Sequence, residues 1–108
     1  MIYFVRSATI VSGPGRHEAM KFAKEVTKYI NGNYSEVDVK LLTTITGRLN
    51  RVAWVTKFNS MAATEEFTDK LQADERYRAL LHEAAKTEEK RPFWVDHVTD
   101  TYWNIAEL

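Results

Sequence analysis

Val37-Asp-Val-Lys-Leu-Leu-Thr-Thr-Ile-Thr46 places Val37, Val39, Leu41, Thr43 and Ile45 on one side of the chain and Asp38, Lys40, Leu42 and Thr44 on the other. A period of two is that of a strand, and its second half is apolar on both sides. Gly47-Arg-Leu-Asn50 then reads as a turn, and Arg51-Val-Ala-Trp-Val-Thr-Lys-Phe58 as the antiparallel partner. This central hairpin decides the fold, because what lies on either side of it has the same layout.

Downstream, the side-chain oxygen of Asn59 or Ser60 is placed to cap a helix. Glu65 and Glu66 sit early in it, where the helix dipole favours negative charge. Asp74 reads as a second cap, opening a continuation with Tyr77, Leu80, Leu81 and Ala84 on one side. The connection is therefore one kinked helix or two short ones. Pro92 stops it, and Phe93 to Ile105 reads as a final strand. Upstream, Ile2 to Val11 is rich in residues that suit a pleated surface and is largely apolar on both faces. Ser12-Gly-Pro-Gly15 breaks it. A helix over Arg16 to Asn31 follows, with Ala19, Phe22, Ala23, Val26, Tyr29 and Ile30 in one stripe and Gly32 placed to end it in the left-handed conformation.

The order strand-helix-strand-strand-helix-strand is the ferredoxin-like split β-α-β pattern, an α+β class. It predicts one domain over 1–108, with a four-stranded antiparallel sheet and both helices on one face. Strands apolar on both sides need a cover on the other face too, and the chain has no further helix to supply it. A second copy of the same sheet is the economical cover, so a homodimer is expected.

Composition narrows the function. Lys plus Arg equals Asp plus Glu, 15 each, and the basic residues are scattered, which gives nucleic acid no electrostatic footprint. The absence of cysteine removes disulfides, thiolate metal sites and cysteine nucleophiles, and fits the cytoplasm. No stretch reaches the ~18 apolar residues of a membrane span, and no signal peptide is visible at the start. Three Trp, five Tyr and five Phe are a generous supply for 108 residues, so some are expected to line a pocket or an interface. No spacing of His and carboxylates suits a metal, and Gly13-Pro-Gly15 lacks the phosphate-loop patterns. No cofactor is expected.

The run Gly47-Arg-Leu-Asn-Arg-Val-Ala-Trp-Val-Thr-Lys-Phe-Asn-Ser60, with Met61-Ala-Ala-Thr-Glu-Glu-Phe67 and Ala73-Asp-Glu-Arg-Tyr77, resembles the NIPSNAP-like branch of the dimeric α/β-barrel superfamily. Ser12-Gly-Pro-Gly15 is similar to the strand-to-helix turn of that superfamily. The resemblance implies a dimeric α/β barrel in which two four-stranded sheets face each other. Relatives include heme-degrading and antibiotic-biosynthesis monooxygenases, small isomerases and decarboxylases, so it does not fix a function. This chain departs from them at Trp54 and Thr56, where NIPSNAP-like proteins often place His and then an aromatic. It departs again near Lys70, where the antibiotic-type monooxygenases carry His.

His97, on the expected last strand beside Thr99, Thr101 and Trp103, is the candidate catalytic residue, since a neutral imidazole can act as general base. Asp96 and Asp100 share the opposite face but are ~13 Å apart at the usual strand rise, too far for a dyad, and read as solvated edge charges. Arg6 interrupts an apolar strand face. It is expected either to bind an anionic group or, more commonly for Arg, to pair with an acid across the dimer. Trp54, Tyr102 and Trp103 join Arg6 as candidate ligand-binding residues. Strand parity divides them: Val98 and Tyr102 cannot face the same space as His97 and Trp103. Two functions stay open. One is a small-molecule-binding domain for a small apolar or aromatic compound, with cofactor-independent oxygenation or isomerisation implied by resemblance alone. The other is a non-enzymatic homodimerisation module whose barrel is filled.

Overall fold

The computed structural model describes residues 1–44 and 50–104. The expected turn over Gly47 to Leu49 and the ends of the second and last expected strands, at Ile45–Thr46 and Ile105, lie outside the described residues. The elements are β1 (Ile2–Thr9), α1 (Arg16–Asn33), β2 (Lys40–Thr43), β3 (Arg51–Phe58), α2 (Met61–Ala73), α3 (Glu75–Lys90) and β4 (Thr99–Asn104). The sheet order is β2-β3-β1-β4 and every pairing is antiparallel. This is the ferredoxin-like arrangement, and among the described residues the second connection takes the two-helix form of the expected alternatives.

The register sorts the side chains into two faces. Arg6 lies opposite Trp54 on one side and Asp100 on the other, while Phe4 lies between Thr56 and Tyr102. These residues, with Val52 and Phe58, face the helices. Val5, opposite Val55 and Thr101, faces away from them, as do Tyr3 and Trp103. Ala19, Ala23, Val26 and Ile30 make the buried stripe of α1. Two of its contacts are Ala residues, which lets the helix axis approach the sheet closely. There the Trp54 Nε1–H donates to the Ala23 carbonyl at 3.3 Å.

Gly15 caps α1 with φ +97°, a region that L side chains rarely enter. A Cβ there would stand 2.8 Å from the Pro92 carbonyl oxygen. Gly32 does not end the helix as expected. It is helical, and α1 runs on to Asn33 before Tyr34 turns extended. One contact there is tertiary, the Tyr34 hydroxyl fixed to Asp74, and one is local, the Asn33 side chain donating one turn back to the Tyr29 carbonyl at 2.8 Å.

The second expected strand starts late. The Asn31 side chain takes both backbone polar groups of Val39, accepting from its N–H at 2.8 Å and donating to its carbonyl at 3.0 Å. Val39 is thus satisfied and buried without a strand partner. The last expected strand also splits. Trp94 bridges Ile10, and Val11 and Val95 donate to Phe93 and Thr9. The chain then leaves the sheet until Thr99.

Ser60 and Asp74 are the caps of α2 and α3, accepting from the N–H groups of Ala63 and Tyr77. The expected break at Asp74 is a full separation into two helices. Asp74 also accepts from the hydroxyls of Tyr29, at 2.8 and 2.9 Å, and Tyr34, at 2.5 Å, tying α1 to the α2–α3 corner.

Hydrogen bonding, first from Tyr34, lowers the Asp74 carboxyl from 3.8 to about 2. The same bond, first among its causes, raises the Tyr34 hydroxyl from 10.0 to about 12. The signs run opposite ways. Asp74 stabilises the fold above its unfolded pKa, and that contribution is lost as pH falls toward about 2. Tyr34 stabilises below pH 10, and its contribution is lost as pH rises toward about 12. The melting temperature is therefore expected to fall along both limbs. Asp74→Asn should flatten the acid limb and Tyr34→Phe should shrink the alkaline one. Limbs unchanged by these variants would remove the cluster as their cause.

Candidate functional site

Between the helix-facing side of the sheet and the three helices lies a cavity of about 710 Å³. Its floor is set by strand parity: Phe4 and Arg6 from β1, Trp54 and Thr56 from β3, and Tyr102 from β4. Its walls come from Val26 of α1, Phe67 of α2 and Tyr77 of α3, with Trp94 closing one side. Aromatic rings make much of the lining. Phe4 and Tyr102 stand 5.1 Å apart between centroids, Phe58 and Phe67 5.6 Å, and Trp54 meets Trp94 edge-on at 6.1 Å. Such walls suit a flat apolar body.

Arg6 is the cation in this lining, and its partner belongs to its own chain. The Asp100 carboxylate, directly across the β1–β4 ladder, accepts from Nε at 2.7 Å and from Nη2 at 2.9 Å. The expected acid across a dimer is replaced by one of the same chain, and Asp100 stays an exposed charge on the edge strand β4. Antiparallel register puts the two residues opposite each other on one face. Arg6 also lies over the Phe4 ring, 5.7 Å from its centroid. Hydrogen bonding to Asp100 pushes the guanidinium above its ordinary range, against the opposing effect of burial. With side chains 45% and 38% exposed, the pair is screened and worth about 1 kcal/mol.

Three of the four candidate ligand-binding residues, Arg6, Trp54 and Tyr102, meet in the cavity lining. Trp103 does not. It is 59% exposed on the opposite face. His97 is not on a strand. It lies exposed two residues before β4, away from the cavity. The predicted parity division between Val98 and Tyr102 on one side and Trp103 on the other holds, since Val98 lines the cavity. Asp96 instead accepts weakly from the Thr9 N–H and hydroxyl, at 3.4 and 3.5 Å. His17 and His82 are exposed, and Lys70 pairs on the surface with Glu36.

Two lining residues were not singled out as binding residues from the sequence. Thr56 reads there as a position of the third strand where the chain departs from the NIPSNAP-like pattern, and Tyr77 as one member of an apolar helix stripe. Burial pushes the Tyr77 hydroxyl above its ordinary value, and the charge of nearby Arg6 pulls it back. Among the described residues, no group of three or more His, Asp or Glu could hold a metal ion. No helix among them is long and apolar enough to cross a membrane.

By sequence the chain matches no family model and no curated protein. By structure it is similar to an uncharacterised NIPSNAP domain protein from Burkholderia xenovorans, with a TM-score of 0.75 over 98% of this chain and 95% of that one, at 19% identity. A NIPSNAP family protein from Agrobacterium tumefaciens gives a TM-score of 0.69 over 98% and 93%, also at 19% identity. A candidate antibiotic biosynthesis monooxygenase from Deinococcus radiodurans gives 0.66 over 100% and 95%, at 6% identity. The chain therefore has the ferredoxin-like α+β fold shared by NIPSNAP domain proteins and by proteins of the antibiotic-biosynthesis-monooxygenase type.

Proposed function

We propose that this chain is a small-molecule-binding domain that takes a small apolar, ring-bearing compound into the helix–sheet cavity and works as a homodimer. The observation that carries the binding reading is the cavity itself: about 710 Å³, walled by aromatic side chains, with one charged pair on its floor. A module with only a packing role gains nothing by leaving such a space, since empty volume costs stability.

Binding is better supported than turnover. Both oxygens of Asp100 are held by Arg6, so this carboxylate is not free to take a proton from a ligand. His97 has no part in the cavity. The oxygenation or isomerisation that the resemblance implies would have to rest on other groups of the lining, and the two solved NIPSNAP structures bring no activity with them.

Naphthalene is a suitable probe of the cavity. Its binding to the native state should raise the melting temperature with concentration, by an amount equivalent to about 2.7 kcal/mol at a hundredfold excess over Kd. Ala84, on α3, lines the same cavity. Ala84→Trp should fill the space and abolish the shift while keeping the helical circular dichroism. A shift that survives the plug would put the bound probe elsewhere.

A further inference from the structure

Resting on that cavity reading, we infer that Thr56 and Tyr77 are a pair of hydroxyl anchors that select a neutral ligand bearing a hydroxyl or carbonyl oxygen. Thr56 is 5% exposed and Tyr77 is 8% exposed. Neither hydroxyl makes a hydrogen bond to any described residue, whereas the hydroxyls of Thr64 and Thr68 beside them are satisfied by backbone carbonyls of their own helix. Buried polar groups normally have partners. Among the described residues no fully enclosed side-chain polar atom is left unpaired, so both hydroxyls keep contact with open space. Thr56 and Tyr77 both line the cavity, and for Thr56 on the helix-facing side of β3 that open space is the cavity.

The two anchors face the cavity from opposite layers. Thr56 rises from the sheet, diagonal to Arg6 on the same face, because Phe4 is its direct partner and Trp54 is that of Arg6. Tyr77 descends from the first turn of α3, and its backbone N–H is held by Asp74, which fixes where the ring starts. Trp54 offers no competing donor, since its N–H is spent on Ala23.

The charges lining the cavity set the other half of the selection. Among the described residues they are one cation, Arg6, and two carboxylates, Asp100 and Glu88. Arg6 is already engaged by two of its donors with Asp100. A carboxylate ligand would have to displace Asp100 or enter a lining with one excess negative charge. A plain hydrocarbon would fit, but it would strip water from two hydroxyls and give nothing back. A neutral ring with a hydroxyl or carbonyl satisfies them, and a hydrogen bond of this kind is worth roughly tenfold in affinity.

Equilibrium dialysis of the full chain at pH 7 against naphthalene, 2-naphthol and 2-naphthoate tests this. The expected order is 2-naphthol tightest, about tenfold or more ahead of naphthalene, with 2-naphthoate weakest. Tyr77→Phe and Thr56→Val should each cut the advantage of 2-naphthol at least threefold and leave naphthalene within about twofold, which also shows that the variants are folded. Equal binding of naphthol and naphthalene, tightest binding of naphthoate, or an advantage untouched by both variants would overturn the anchors while leaving the cavity reading in place. If none of the three binds, the cavity reading itself falls.

Discussion

Phe93→Ala is expected to cost about 3–5 kcal/mol of folding stability, the usual range for removing a buried aromatic ring. Phe93 is 2% exposed and is one of the two largest fully buried side chains. Its ring meets Phe22 of α1 at 5.8 Å and Trp94 at 5.9 Å, so it joins the first helix to the segment that leads into β4. Its carbonyl accepts the Val11 N–H, which pins the backbone while the side chain is removed and limits collapse around the hole. Little relaxation means that most of the cavity penalty is felt. A chain of this size commonly has a total stability of about 5–15 kcal/mol, so the loss is a large fraction of it. Urea denaturation followed by circular dichroism measures it. A loss below about 1.5 kcal/mol would mean that the segment before β4 is not locked onto α1. Phe93→Leu, which keeps most of the volume, should cost less than half as much.

Phe93 also shows where the fold was legible in the sequence and where it was not. The apolar residue was visible, and so was a strand-like run from there to Ile105. What broke that run is non-local. Val95 and Val11 bond across to Thr9 and Phe93, and Asp96 turns its carboxylate to Thr9, so the chain re-enters the ladder only at Thr99. Local pattern cannot announce such partners. The caps at Ser60 and Asp74 were legible because each acts on an N–H three residues away. Gly32 misled: the helix runs through it to Asn33, and one contact at that end, Tyr34 on Asp74, reaches 40 residues along the chain.

The same contrast governs the site. Period-two parity is a local property, and it correctly separated Tyr102 from Trp103, but that Arg6, Trp54 and Tyr102 share one lining follows only from the register of three strands. His97 failed to follow because parity has no meaning once the strand ends, and the strand starts only at Thr99. The identity of Arg6's partner needed the register of β1 with β4. Both Arg6 and Asp100 were noticed, but nothing in either segment says that they stand opposite each other. Thr56 and Tyr77 gave the weakest signal. A hydroxyl in a strand or in an apolar stripe is ordinary until the space in front of it is known to be open.

Val5→Glu is expected to turn the proposed homodimer into a monomer, with the dissociation constant rising on the order of 1000-fold or more. The helices cover one side of the sheet, and Val5 lies at the centre of the other, opposite Val55 and Thr101. Around it, Leu42 is 53% exposed and Trp103 59% exposed, which a lone chain would leave in water. A two-fold interface presents the same patch twice, so one substitution buries two carboxylates. Each unpaired buried charge costs several kcal/mol. The nearest described cations of this face, Lys57 diagonal to Val5 and Lys40 two strands over, are held over the Tyr3 ring and by Asp38. In the separated chain the same Glu is solvated, so the cost falls on association and little of it on folding. Sedimentation equilibrium reads the mass, and naphthalene binding serves as an internal control because Val5 points away from the cavity. A wild-type chain that is monomeric at tens of micromolar would sink the sheet-to-sheet dimer outright. A Val5→Glu chain that stays dimeric would move the interface off this face, and would leave Leu42 and Trp103 free to serve some other partner.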